Sequence, residues 1–129
     1  MHEVAMADDP IPPDIRDFIQ RHIDSVAQLE ALLLLRSNPS AIWDIATIAK
    51  RLYTSEREIR DGLERLCADA LLSCNDGMFC YTSTSDIQEK IDRLATAYAQ
   101  YLIPVTNMIH TKSRRIREFA DAFKLRKDR

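Results

Sequence analysis

Glycine is almost missing: two occur in 129 residues, Gly62 and Gly77. Sheet-rich folds draw on glycine for their tight turns, so this scarcity argues for a mainly helical chain. It also excludes a glycine-rich phosphate loop. No apolar run approaches the ~18–20 residues of a membrane span; Leu32 to Leu35 is the longest purely aliphatic stretch. No basic segment followed by an apolar one opens the chain, so no signal peptide and a cytoplasmic location are expected. The three cysteines, Cys67, Cys74 and Cys80, are an odd number without a CxxC pair. Reduced, partly buried thiols are the expectation. Cys74 and Cys80 flank a predicted turn, but its short loop does not set them opposite each other. His2, His22 and His110 lie far apart, outside any metal-ligand spacing. A nucleophile elbow and a zinc-protease helix are both missing. Neither an enzyme nor a metal or cofactor site is expected.

Apolar residues make up 46% of the chain, enough for a real core. The formal net charge is only −2, but it is unevenly spread. Residues 110–129 carry eight Lys/Arg against three Asp/Glu, a net of +5. Residues 1–24 are net −4 and residues 25–85 net −2. The basic surface therefore belongs to the C-terminal end.

Pro12 and Pro13 close the first stretch, and Pro13 suits the first position of a helix. Ile15, Phe18, Ile19 and Ile23 then follow at helical spacing. Ser25 with Gln28 reads as a capping box, and Val26, Leu29, Leu32, Leu33 and Leu35 make the next helix strongly apolar. A short strand fits Ala41-Ile42-Trp43. Asp44 is a good N-cap for a helix over 45–52, and Ser55 with Glu58 is a second capping box. Ile59, Leu63, Leu66 and Ala70 share a face of the helix it opens. A core built on Leu33, Ile48, Ile59, Leu63 and Leu66 is expected. Residues 71–74, 75–77 and 78–81 read as strand, turn, strand.

Asp86 is the expected cap of the last helical region. There Ile87, Ile91, Leu94, Tyr98, Tyr101, Val105 and Met108 repeat at 4, 3, 4, 3, 4, 3, an a/d seam that predicts a homodimer. Pro104 interrupts it, predicting a kink or a junction of two helices. Ser113 is the expected cap of a final helix with Ile116, Phe119, Ala120 and Phe123 on one face.

The order of helix, short strand, helix, tight turn, helix and hairpin resembles the winged helix-turn-helix domains of small bacterial regulators, loosely the MarR-like and PadR-like groups. Asp44-Ile45-Ala46-Thr47-Ile48-Ala49 carry the likeness in the first helix of the pair. Ser55-Glu56-Arg57-Glu58-Ile59 and Leu63-Glu64-Arg65-Leu66 carry it in the second, and Ala70-Leu71-Leu72 lead into the wing. The resemblance covers about half the chain. It implies a mainly α fold: a winged helix-turn-helix domain of three helices plus a β-hairpin over residues 25–85, after a tail and short helix at 1–24. Residues 86–129 then form a long helical dimerisation arm.

The same resemblance implies a dimeric transcriptional regulator that lays the second helix in the major groove of double-stranded DNA. Arg57 and Arg60 would reach bases or phosphates, and Thr54 and Ser55 phosphates, with Lys50 and Arg51 beside the backbone. Lys112, Arg114 and Arg115 belong to a basic cluster suited to backbone contact, and Lys124, Arg126, Lys127 and Arg129 form a second. The plain alternative for Arg57 and Arg60 is a solvated face with i,i+4 pairs to Asp61 and Glu64. Glu56, Glu58, Asp61 and Glu64 repel phosphate, and the hairpin tip, residues 75–78, carries no base. A winged-helix module that binds a protein partner therefore stands beside the DNA reading. A small-molecule effector between the winged domain and the arm is a further partner to consider; a membrane partner is not expected.

Overall fold

The computed structural model describes residues 10–82 and 84–127, the last five of these in backbone only. The fold is mainly helical, with a small antiparallel sheet between N-terminal helices and a long C-terminal helical arm. The elements are α1 (Pro13–His22), α2 (Val26–Ser37), β1 (Trp43–Asp44), α3 (Ile45–Arg51), α4 (Glu56–Ala68), β2 (Leu72–Asn75), β3 (Met78–Tyr81), α5 (Ser85–Gln100) and α6 (Leu102–Lys127).

Local signals set most boundaries. Pro13 takes the first position of α1, with Asp14 in the first turn and Arg21 and His22 in the last, each of the sign the helix dipole favours. Ser25 caps α2, accepting from the Gln28 amide at 3.0 Å. Gln28 does not complete a capping box. Its side chain is fully buried, accepts from the Asp24 amide, and donates to the carbonyls of His22 at 3.0 Å and Gly62 at 3.2 Å. Asp44 caps α3 through the Thr47 amide at 2.8 Å, and Ser55 and Glu58 form a reciprocal box on α4. Both α3 and α4 end on a left-handed residue, Tyr53 (φ 57°) and Ala70 (φ 65°). The amides of Thr54 and Leu71 return to the carbonyls of Ala49 at 3.0 Å and Leu66 at 2.9 Å, closing each helix end.

The sheet runs in the order β1-β3-β2, with Trp43 opposite Phe79 and Leu72 opposite Tyr81. Asp76 and Gly77 both have positive φ, the geometry of a two-residue turn that follows the twist of its strands. The expected first strand is displaced to Trp43–Asp44, leaving Ile42 66% exposed.

One contiguous core runs from Ile11 to Ile109. It takes in Ile15, Phe18, Ile19 and Ile23 around α1, and Ile91, Leu94, Val105 and Ile109 from α5 and α6, all buried. Leu33 is only half-buried; Leu29, Leu32 and Leu35 form the inward face of α2 instead.

Two expectations for the arm change, and the junction of two helices expected near Pro104 is found. Thr84, not Asp86, caps α5, its hydroxyl accepting from the Ile87 amide at 3.4 Å; Asp86 sits inside the first turn. Two helices meet at Tyr101, and Pro104 lies in the first turn of α6, where its missing N–H removes no helical bond. Ser113 begins no helix: α6 runs through it, and its hydroxyl donates to the Asp24 carbonyl at 2.6 Å.

Candidate nucleic-acid interface

Helices α3 and α4 with the turn between them form a helix-turn-helix, and the hairpin β2–β3 follows as a wing. Ile48 and Ala49 of α3 and Ile59, Leu63 and Leu66 of α4 are buried. That leaves Arg57, Arg60, Asp61 and Glu64 exposed on the outer face of α4.

Each side chain named for DNA contact has a definite situation. Lys50 is exposed at the end of α3. Arg51 is exposed too, and its guanidinium stands over the Trp43 ring, 5.3 Å from the centroid, which fixes its direction. The Thr54 hydroxyl donates to the Glu58 carboxylate, so it faces the helix rather than a ligand. Together with the Ser55 amide, that contact holds the Glu58 carboxyl below the usual carboxylate range. The Ser55 hydroxyl accepts from the Glu58 amide at 3.1 Å, leaving its own proton to donate outward. Arg57 is exposed and, among the described residues, forms no ion pair. Arg60 reaches back to Glu56 at 3.8 Å rather than forward to Glu64.

Lys112 departs from the rest of its cluster. Its ammonium lies 3.2 Å from the Ile19 carbonyl, 2.6 Å from Gln20 and 2.8 Å from Ile23, and 3.0 Å from an Asp24 carboxylate oxygen. The side chain is 12% exposed. It satisfies the orphan carbonyls at the end of α1 and is not available to phosphate in this conformation. Arg114 and Arg115 are exposed. Lys124, Arg126, Lys127 and Arg129 fall outside the described side chains.

Asp24 connects Lys112 to α4, because its other oxygen accepts from Arg65 at 3.0 Å. Arg65 also donates to Asp69 at 3.0 Å, and Asp69 meets His22 Nδ1 at 2.8 Å. Burial works to raise the Asp69 carboxyl, but the His22 and Arg65 hydrogen bonds outweigh it and hold the group below its usual value. This chain of contacts ties the first half of α6 to the last turn of α4. Sequence reading missed it, since its members lie at the ends of α1 and α4 and on α6, with no spacing to connect them.

The seam expected to pair two copies faces inward. Ile91, Leu94 and Val105 have no exposed surface, and Ile87, Tyr98, Tyr101 and Met108 pack half-buried against the same core. The Tyr98 hydroxyl donates to Glu30 at 2.9 Å; burial first, then that carboxylate, pushes it up to about 12. An apolar stripe lies open elsewhere. Val105, Ile109, Lys112, Ile116 and Phe119 follow one face of α6 at spacings of 4, 3, 4, 3. The first two are fully buried, yet Ile116 is 53% and Phe119 75% exposed. From Arg114 to Ala122 every residue of α6 is exposed.

Among the described residues no three His, Cys, Asp or Glu side chains converge to hold a metal ion, and no helix is long and apolar enough to cross a membrane. Cys67 and Cys74 are joined in a disulfide, against the expectation of three free thiols; Cys80 is free. No protein-family model matches the chain, and no curated protein does. Among solved structures, a MarR family transcriptional regulator from Streptomyces coelicolor is similar, with 18% identity, 94% of this chain and 92% of that chain covered, and a TM-score of 0.49.

Proposed function

We propose that the protein is a homodimeric transcriptional regulator of winged-helix type that binds double-stranded DNA. Residues 25–85 supply the groove-reading surface, and α6 beyond Ser113 supplies the dimer contact. The observation that carries the reading is the outer face of α4. It is exposed along its length, follows a tight turn, and presents Arg57 and Arg60 near its N-terminal end, where a groove-bound helix meets base edges. Lys50 and the Ser55 hydroxyl flank that end in positions suited to phosphate. Arg114 and Arg115 add charge from the arm.

The dimer follows from the uncovered stripe. A face that is core at Val105 and Ile109 continues at the same phase into Ile116 and Phe119, which nothing among the described residues covers. A second copy of the same stripe supplies an apolar partner at heptad spacing. The seven seam residues from Ile87 to Met108 then support the arm from inside.

A second reading keeps the fold and exchanges the partner. Glu56, Asp61 and Glu64 stand exposed on α4, and the hairpin tip holds Asp76 and no base. That surface suits a basic protein partner. Fluorescence anisotropy of genomic DNA fragments at graded salt separates the two. Salt-sensitive binding supports the regulator; no salt-sensitive binding to any fragment removes it and leaves the protein-binding module.

A further inference from the structure

We propose that Cys67 and Cys74 are a reversible thiol–disulfide couple that tethers the β2–β3 hairpin to α4, with a low-molecular-weight disulfide as oxidant and a low-molecular-weight thiol as reductant. Cys67 lies half-buried in the last turn of α4, and Cys74 is exposed on β2. Their Cα atoms are 6.0 Å apart and the sulfurs are bonded. That separation is ordinary for a disulfide.

The sulfurs are brought together by groups other than themselves. Between them the chain turns through Ala70, with the Leu71 amide bonded to the Leu66 carbonyl at 2.9 Å. Leu71 and Leu72 are buried, and Asp69 is held by His22 and Arg65. These contacts survive opening of the bond, so the reduced thiols stay close and the fold persists. Register excludes the third thiol. Cys74 pairs with Phe79 on the face that carries Leu72 and Tyr81, whereas Cys80 pairs with Ser73 on the opposite face.

Closure starts at the exposed thiol. The Cys74 thiolate attacks one sulfur of the small disulfide, whose S–S bond breaks and releases one thiolate. The Cys67 thiolate then attacks the Cys74 sulfur and releases the second. Two protein thiols are oxidised to one disulfide, one small disulfide is reduced to two thiols, and the two protons pass to the leaving thiolates. The attachment lies beyond Leu72 opposite Tyr81, the last buried pair of the hairpin, and residues 73–78 are exposed. The bond therefore ties the β2 edge of the outer hairpin to α4, while β1 holds the other edge through Trp43 opposite Phe79 and Asp44 opposite Met78.

The test uses the full chain equilibrated in graded ratios of glutathione to glutathione disulfide, trapped by alkylation, and read by intact mass and hydrogen exchange. One two-electron transition should convert Cys67 and Cys74 together, with Cys80 alkylated throughout. On reduction, exchange at residues 73–80 should rise several-fold while α2 stays protected. Cys80→Ser should leave the transition in place, and Cys74→Ser should abolish it. No transition at any ratio, pairing that involves Cys80, or loss of protection across α2 on reduction would each overturn the proposal. None of these readouts depends on what α4 binds.

Discussion

The Gln28 side-chain amide lies 3.2 Å from the Gly62 carbonyl, and a Cβ placed on Gly62 would come within 2.8 Å of the Gln28 Cβ and 2.9 Å of its Cγ. Helices α2 and α4 touch at this point because one of them has no side chain there. Mid-helix glycine is normally a weakness, worth about 1 kcal/mol against alanine. Here the close approach reverses the balance. Gly62→Ala is expected to destabilise the fold by about 1–3 kcal/mol, the usual range for overpacking. A denaturant midpoint that stays put or rises would show that α2 moves aside freely.

The left-handed helix ends predict the opposite sign. Ala70 at φ 65° and Tyr53 at φ 57° occupy a region that costs a side chain about 1–2 kcal/mol and glycine little. Glycine gives back part of this through its freer unfolded chain. Ala70→Gly should raise stability by about 0.5–1 kcal/mol, seen as a higher midpoint in thermal melting. Tyr53, 96% exposed, should behave alike.

Arm residues should divide into two classes. Ile116→Glu with Phe119→Glu should give a folded monomer by sedimentation, while the unaltered protein sediments as a dimer. Leu94→Glu buries a carboxylate in the core and should unfold the chain rather than dissociate it. A dimer that survives the double change would place the contact elsewhere.

DNA contacts should divide in the same way. Arg57→Ala and Arg60→Ala should each cost about 1–3 kcal/mol on a preferred site and blur the preference. Arg114→Ala and Arg115→Ala should weaken all sequences alike and reduce the salt slope by about one unit per lost phosphate contact. Lys112→Ala should leave the slope alone and lower stability, because the Gln20 and Ile23 carbonyls at the end of α1 lose their donor.

Acid sensitivity should centre on Asp69. A carboxyl held below its usual 3.8 in the folded chain stabilises that chain above the unfolded value, and the benefit is lost as pH falls through the folded one. Asp14, beside Arg93, and Asp44, which accepts from Thr47, act with the same sign. Stability should fall below about pH 4, and less steeply in Asp69→Asn. Equal slopes would mean that the pairing with His22 and Arg65 does not persist in solution.

What could be read beforehand was local. Ser25, Asp44 and Ser55 each act within three residues, and the hairpin turn needs only Asp76 and Gly77, so the elements around them were legible. Thr84 and Asp86 are both competent caps two residues apart, and sequence alone does not choose between them. Heptad spacing from Ile87 to Met108 says that one face is apolar; it does not say whether a second chain or α1 and α2 will cover it. Lys112 looks like its basic neighbours, since the carbonyls that claim it are about ninety residues away in the chain. The disulfide needed a left-handed turn at Ala70, an unusual conformation for alanine.

The stripe on α6 fixes a phase relation. An α-helix advances about 1.5 Å and 100° per residue, so Ile116 and Phe119 are clocked by Val105 and Ile109 about 10–20 Å away. Rotating the outer half of the helix to suit a partner would pull Val105 out of the core and Lys112 off the end of α1. In the proposed dimer, the angle at which two copies cross would thus be inherited from each copy's interior, and so would the separation of their two α4 helices. A core substitution at Ile109 that turned the helix by a few degrees would change the spacing of any paired half-sites, although it touches neither partner.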